Sequence, residues 1–179
     1  LMTGRRFASP MYGIDISVVV PVHNEVGNVA ELAAEIVAAL RGRASFEIVF
    51  VDDGSADGTG AELARLAALY PETRPIAHDR KSGQSIAVVS GARAARGSTV
   101  VTIDGDGQND PKFILDLAET LFAGRPDIGL VAGRRTGRKA TRFKKLQSRI
   151  ANTVRGAILR DGTTDTGCGL KAIPRDLLL

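Results

Sequence analysis

Residues 14–52 read IDISVVVPVHNEVGNVAELAAEIVAALRGRASFEIVFVD, and the alternation inside this stretch decides the fold class. Residues 14–22 are a β-branched run closing at Pro21, and residues 46–52 are a second run closed by Gly54 and Ser55. Short apolar runs bounded by turn residues read as buried strands. Between them Val29, Leu32, Ile36, Val37 and Leu40 recur at helical spacing and Arg41-Gly42 supplies a stop, which makes a strand-helix-strand unit. The pattern repeats outward. Residues 61–70 read as a helix ended by Pro71, residues 86–95 as another ended by Gly97, and residues 99–104 as a strand running into DGDGQNDP. Pro111 suits the first turn of a helix carrying Ile114, Leu117 and Leu121, and residues 128–132 read as a further strand. Strands alternating with helices imply an α/β fold in three layers, a mainly parallel sheet covered on both faces, with ligands at the carboxyl ends of the strands. The acidic loops fall at those ends.

Composition agrees. The chain has 179 residues, 44% hydrophobic and 25% charged, enough for one globular domain with a substantial core. Its single Cys168 excludes an intramolecular disulfide and fits a reducing, cytoplasmic setting. No apolar run reaches the length of a membrane span, and the polar start LMTGRRFASPMYG lacks the apolar centre of a signal peptide. The formal net charge of +4 hides a segregation: residues 134–160 hold ten Lys and Arg and no acid, leaving 14 bases against 20 acids elsewhere. An acidic body with one basic segment points to a localised anionic partner.

The sharpest local signal is Asp104-Gly105-Asp106, directly after a buried strand and followed by Gln108, Asn109 and Asp110. In an extended segment alternate side chains share a face, so Asp104, Asp106 and Gln108 offer hard oxygen donors suited to Mg²⁺ or Mn²⁺. Two adjacent carboxylates repel unless a cation offsets them, which favours a metal over simple helix capping for this pair. Asp110, before Pro111, reads instead as a cap, and so does Asp57 ahead of its helix. A dehalogenase-type phosphatase also places Asp-x-Asp after a strand but wants Thr or Val where Gln108 stands. The DGSADGT run at residue 53 imitates a calcium loop but has Ala64 at the position of the bidentate Glu. Asp52 and Asp53 end the second strand, where a carboxylate can accept hydrogen bonds from a base edge or a ribose hydroxyl. The dinucleotide-binding glycine pattern is missing after the first strand, which argues against an NAD enzyme.

Taken in order, SVVVPVHNE, VFVDDGSADGT, RKSGQSIAVVSGARAARG, VVTIDGDGQNDP, VAGRR, LQSRIAN and DTGCGLKAI resemble glycosyltransferase family 2, most closely its polyprenyl-phosphate branch, the dolichol-phosphate mannose synthase-like enzymes. The resemblance implies a GT-A (Rossmann-like) fold over residues 14–179 after an extension at 1–13. It also implies a nucleotide-diphosphate sugar donor of the GDP-mannose or UDP-hexose type, a divalent metal at Asp104, Asp106 and Gln108, and inversion at the sugar carbon. Pro21, His23 and Glu25 would line the nucleotide pocket, with His23 left open as pocket residue or structural member of its loop. Asp52 or Asp53 would meet base or ribose, and Arg80, Lys81, Gly83 and Gln84 would approach the diphosphate or sugar, with Arg80 assisting the metal on Asp104 and Asp106 in stabilising the departing diphosphate. Arg135, Lys144 and Ser148 would bind the acceptor phosphate, and Asp165 falls in the segment that closes over the donor. Family members usually continue beyond DTGCGLKAI, often with membrane segments, so a shortened or minimal catalytic domain is expected.

Within residues 134–160, Phe143, Leu146, Ile150, Val154 and Ile158 step by three or four while Lys144, Lys145, Arg149 and Arg155 take other faces. Such a segment facing anionic lipid gains on the order of 1 kcal/mol per base, which leads to a peripheral site on the cytoplasmic face of a membrane. Nucleic acid is set aside, because no aromatic platform or recognition helix is present. Two alternatives stand beside the lipid-phosphate reading: a family 2 transferase acting on a glycan hydroxyl, for which Asp165 would be the base by default, and a non-catalytic nucleotide- or membrane-binding module.

Overall fold

The computed structural model describes residues 15–123, 128–133 and 168–178. The chain divides into two compact units, Leu1–Val131 with Gly169–Leu179, and Ala132–Cys168. Only residues 132, 133 and 168 of the second unit are described, so the basic segment 134–160 and the extension 1–13 lie outside the described residues.

The first two strands are β1 (Ile16–Val22) and β2 (Phe46–Asp52), each buried along its whole length, as a strand covered on both faces must be. They pair in parallel from Ile16 opposite Phe46 to Val22 opposite Asp52. Helix α1 (Val29–Leu40) connects them and buries Val29, Leu32, Ala33, Ile36, Val37 and Leu40, the stripe anticipated from its spacing. Helix α2 (Thr59–Leu69) leads to β3 (Ile76–Ala77), which extends the sheet in parallel beyond β2. Helix α3 (Gln84–Ala94) then returns the chain to β4 (Thr99–Thr102), parallel to β1 on its other side. Helix α4 (Phe113–Ala123), β5 (Val131–Ala132) and β6 (Lys171–Pro174) complete a six-stranded sheet in the order β3-β2-β1-β4-β6-β5.

Right-handed crossovers fix the layers. The chain moves outward through α1 and α2 and back through α3, so α3 covers the opposite face: it packs on β1 and β2, while α1 packs with α2 and α4. Beneath α3, Ala87 and Ala95 join Val19, Val49, Val51 and Val100 in one buried cluster. Ile16, Leu32, Ile36, Leu40, Ile48, Phe50, Leu63 and Leu66 are fully buried, each contributing about 1.5–3 kcal/mol by its removal from water. The order reverses between β1 and β4, so the loops leaving these two neighbours diverge and open a crevice at their carboxyl ends.

Two strands escape the sequence pattern. β3 has two residues, too few for any periodicity, and β6 (KAIP) buries only Ala172. β6 runs antiparallel to β4, with Thr99 opposite Pro174 and Thr102 opposite Lys171, and separates β4 from β5. The helix expected at residues 61–70 starts two residues earlier, and the strand expected at 128–132 shortens to its last two residues.

Candidate active site

The crevice holds a cavity of about 350 Å³ lined by Pro21, Val22, His23 and Glu25 after β1, Asp53 after β2, Lys81, Gln84 and Ala87 at the start of α3, and Asp104, Gly105 and Asp106 after β4. Backbone bonds assemble its wall. Ile103 N donates to Val19 O and Asp53 N to Val22 O, prolonging the ladder past the ends of the strands.

The loop after β1 is fastened to the loop after β2 by four further bonds. Asn24 N donates to Ser55 Oγ, Ala56 N to Asn24 Oδ1, Glu25 N to Thr59 Oγ1 and Val26 N to Asp57 Oδ2. Asn24 adopts a positive φ of 58°, which Asn tolerates better than most residues. Gly58, not Asp57, stands at the N-cap of α2 and gives no side-chain cap; Asp57, one residue earlier, accepts from Thr59 N and the Thr59 hydroxyl and so ties the helix start to the neighbouring loop. His23 Nδ1 lies 3.0 Å from Asp53 O; a carbonyl only accepts, so Nδ1 carries the proton.

The two acids ending β2 point to opposite faces, as consecutive residues of a strand do. Asp52 turns toward α2: its Oδ1 accepts from Ser55 N at 2.9 Å and Oδ2 lies against Gly60. Asp53 turns toward α3 and the cavity, where Oδ1 accepts from the His78 ring at 2.8 Å and from Ser82 N at 2.8 Å, and Oδ2 from Gly83 N at 2.7 Å. Burial disfavours the charged form of Asp53, but the bonds from His78, Ser82 and Gly83 outweigh it and hold the carboxyl below its ordinary range. Gly54, with φ +69°, lets this turn press on the segment before α3: a Cβ there would fall 2.7 Å from Arg80 C and Lys81 N.

At the end of β4 the chain leaves the extended form, turning at Gly105-Asp106. Asp104 and Asp106 both reach the cavity, whereas Gln108 is exposed and its backbone N–H donates to Asp106 Oδ1. Asp104 accepts from Gln84 Nε2 at 2.9 Å and from Asn109 Nδ2 at 3.3 Å, and it lies so close to Gly169 that a Cβ there would fall 2.1 Å from Oδ2. Among the described residues, Glu25, Asp53, Asp104 and Asp106 give the cavity four carboxylates against the one Lys or Arg, Lys81. Such a surface repels an anionic ligand unless a divalent cation comes with it. Among the described residues no three His, Cys, Asp or Glu side chains form a ready-made cage. A pair of carboxylates that leaves the remaining positions to water and phosphate oxygens is how Mg²⁺-type sites are commonly built.

The sequence profile described as Glycosyl transferase family 2 matches residues 17–179. The chain belongs to glycosyl transferase family 2. Among curated relatives of this family 2 chain, an undecaprenyl-phosphate 4-deoxy-4-formamido-L-arabinose transferase from Edwardsiella ictaluri is 36% identical over 160 residues, 88% of this chain and 48% of its own. A dodecaprenyl-phosphate galacturonate synthase from Rhizobium johnstonii is 34% identical over 165 residues, 90% of this chain and 48% of its own. The chain spans about half the length of the curated relatives it matches. Of solved structures, a mannosyltransferase from Pyrobaculum calidifontis in complex with GDP-Man and Mn²⁺ superposes with TM-score 0.68 at 26% identity, covering 94% of this chain and 47% of that one. Glucosyl-3-phosphoglycerate synthase from Mycobacterium tuberculosis, with Mn²⁺, UDP and glucosyl-3-phosphoglycerate, gives 0.74 at 22% identity, covering 98% and 62%. The fold is the GT-A fold of these family 2 transferases.

Of the residues that the resemblance assigns in the family 2 chain, the structure brings together Pro21, His23, Glu25, Asp53, Lys81, Gln84, Asp104 and Asp106 around one cavity. Asp52, Arg80, Gly83 and Gln108 stand outside its lining, although Gly83 meets Asp53 through its amide. Arg135, Lys144, Ser148 and Asp165 lie outside the described residues. His78, Asn109 and Gly169 touch the site's carboxylates without being among the residues that the resemblance assigns. Only Gly169, inside DTGCGLK, carried a visible sign, the close approach that a glycine permits.

Proposed function

We propose that this chain is the catalytic domain of an inverting family 2 glycosyltransferase that moves a sugar from a nucleotide-diphosphate sugar to a polyprenyl phosphate. The observation that carries it is the single cavity that holds Asp53 at one end of the crevice wall and Asp104 with Asp106 at the other. In this reading Asp53, Pro21, His23 and Glu25 receive the nucleoside, and Lys81 and Gln84 approach the diphosphate. The donor set fits Mg²⁺ or Mn²⁺ held by Asp104 and Asp106, with Gln108 nearby; a bound cation there supplies charge for the departing diphosphate. The Mn²⁺ in two structural neighbours and the polyprenyl phosphates named in two relatives support the assignment.

The acceptor phosphate oxygen attacks the anomeric carbon, the bond from that carbon to the diphosphate oxygen breaks, and the nucleoside diphosphate leaves from the opposite face. A phosphate is already ionised at neutral pH, so no side chain need take a proton from it. Lys81 offsets part of the charge that develops on the leaving oxygens. Arg135, Lys144 and Ser148 are assigned to the acceptor phosphate, Asp165 to the donor-closing segment, and the basic segment 134–160 to a cytoplasmic membrane surface. No helix among the described residues is long and apolar enough to cross a membrane.

The test is a panel of GDP- and UDP-sugars with Mn²⁺ and undecaprenyl phosphate, following glycolipid formation. Transfer to the lipid phosphate is expected, and transfer only to a glycan hydroxyl would sink the acceptor assignment. Failure of every nucleotide sugar to bind in the presence of metal would sink the reading as a whole.

A further inference from the structure

His78 lies between side chains that are distant in sequence. Its amide donates to Asp52 O at 2.8 Å, which fixes the residue at the end of β3 beside β2. The ring is mostly enclosed, with its side chain 17% exposed. Nδ1 sits 2.8 Å from Asp53 Oδ1, and Nε2 sits 2.9 Å from Ser90 Oγ on α3. A carboxylate accepts and cannot donate, so Nδ1 carries a proton and donates a hydrogen bond to Asp53 Oδ1. Asp53 then accepts the amides of Ser82 and Gly83, the two residues that lead into α3. The first residue of that helix, Gln84, donates to Asp104. Ser90, His78, Asp53, the two amides, Gln84 and Asp104 therefore form one connected run from the sheet edge to the acidic loop after β4. His78 itself does not line the cavity.

We propose that His78 is a positioning residue: it sets the orientation of the Asp53 carboxylate and, through the two amides that carboxylate accepts, holds the segment bearing Lys81 and Gln84 against the cavity. Without the Nδ1 donor, Asp53 loses the bond that fixes its rotation, and its hold on the two amides weakens. The segment before α3 then loosens, because no other side chain among the described residues is shown holding both amides. The consequence for nucleotide binding rests on the function proposed above, whereas the consequence for the segment does not.

Two substitutions separate a donor from a space-filler. His78→Asn keeps a nitrogen donor near the position of Nδ1 and loses ring volume; His78→Leu keeps volume and loses the donor. Amide hydrogen exchange at Ser82 and Gly83 should quicken by about tenfold in His78→Leu and stay near wild type in His78→Asn, with β1 and β2 amides unchanged. Ser90→Ala, which removes the ring's second anchor at a site able to fold with Ala, should quicken the same two amides by a smaller factor. Binding of UDP and of GDP, each with Mn²⁺, measured by calorimetry on the same proteins, should weaken about tenfold in His78→Leu and recover in His78→Asn. Unchanged exchange at Ser82 and Gly83 in His78→Leu, or a greater effect of Asn than of Leu, overturns the proposal. If wild type binds neither nucleotide, the transferase reading fails, and the exchange rates still decide whether His78 positions the segment.

Discussion

Asp52 and Asp53 are neighbours of the same chemistry, yet one lies against α2 and the other faces the cavity. Their difference arises from the two-residue repeat of a strand, carried one step past the last residue of β2. Replacing each by Ala in turn should therefore split their roles: Asp53→Ala abolishes binding of UDP or GDP with Mn²⁺ in calorimetry, while Asp52→Ala lowers the thermal midpoint and leaves that binding measurable. Gly169 makes a second test at the scale of one atom. A methyl group there would overlap the Asp104 carboxylate. Displacing a reacting group by about 1 Å can cost on the order of 100-fold in rate, so Gly169→Ala should cut kcat/KM by that order while its far-ultraviolet spectrum stays native.

At the scale of the elements, the two ends of the sheet do different work. The carboxyl ends carry the cavity; near the opposite end a buried network ties strands together. Glu47, 4% exposed on β2, accepts from Ser17 Oγ of β1 at 2.6 Å, from Arg96 N ahead of β4 at 2.7 Å and from Arg74 Nε at 3.1 Å. Arg74 also donates to Ala94 O at the end of α3. Arg74 is 28% exposed and keeps its bond to Ala94, so the loss on truncation falls on the buried acceptor of Ser17 and of Arg96 N; Glu47→Ala should cost on the order of 1–3 kcal/mol in urea unfolding. Its distance along the strand from Asp53 predicts that nucleotide affinity of the folded fraction does not change. Neither effect can be read from FEIVFVD, where a charged residue inside an apolar run gives no hint of its partners 30 and 27 residues away.

For the molecule as a whole, acid is the expected stress. Asp53 is held below its usual range against the opposing effect of burial, Asp57 by the Thr59 hydroxyl, Glu62 by Arg65 and Glu72 by Arg41. A carboxyl whose folded pKa is depressed stabilises the fold above its unfolded pKa, and that contribution is lost as pH falls through the folded value. Thermal midpoints should be nearly level from pH 7 to about pH 5 and drop below about pH 4, and Asp53→Asn should flatten the drop. A midpoint that rises on acidification would contradict these hydrogen bonds and ion pairs.

The order of strands and helices, the acidic loops at strand ends and the Asp104-Gly105-Asp106 signal were legible in the sequence, because burial on a face imposes a local period that survives in one dimension. Tertiary structure alone decided that β6 enters antiparallel between β4 and β5, since KAIP buries too little to carry a pattern. It also decided that Gln108 turns outward, that Asp53 and not Asp52 faces the cavity, and that His78 stands behind it. Those outcomes depend on the sense of a turn and on hydrogen bonds between residues about 25 apart, which no local period encodes.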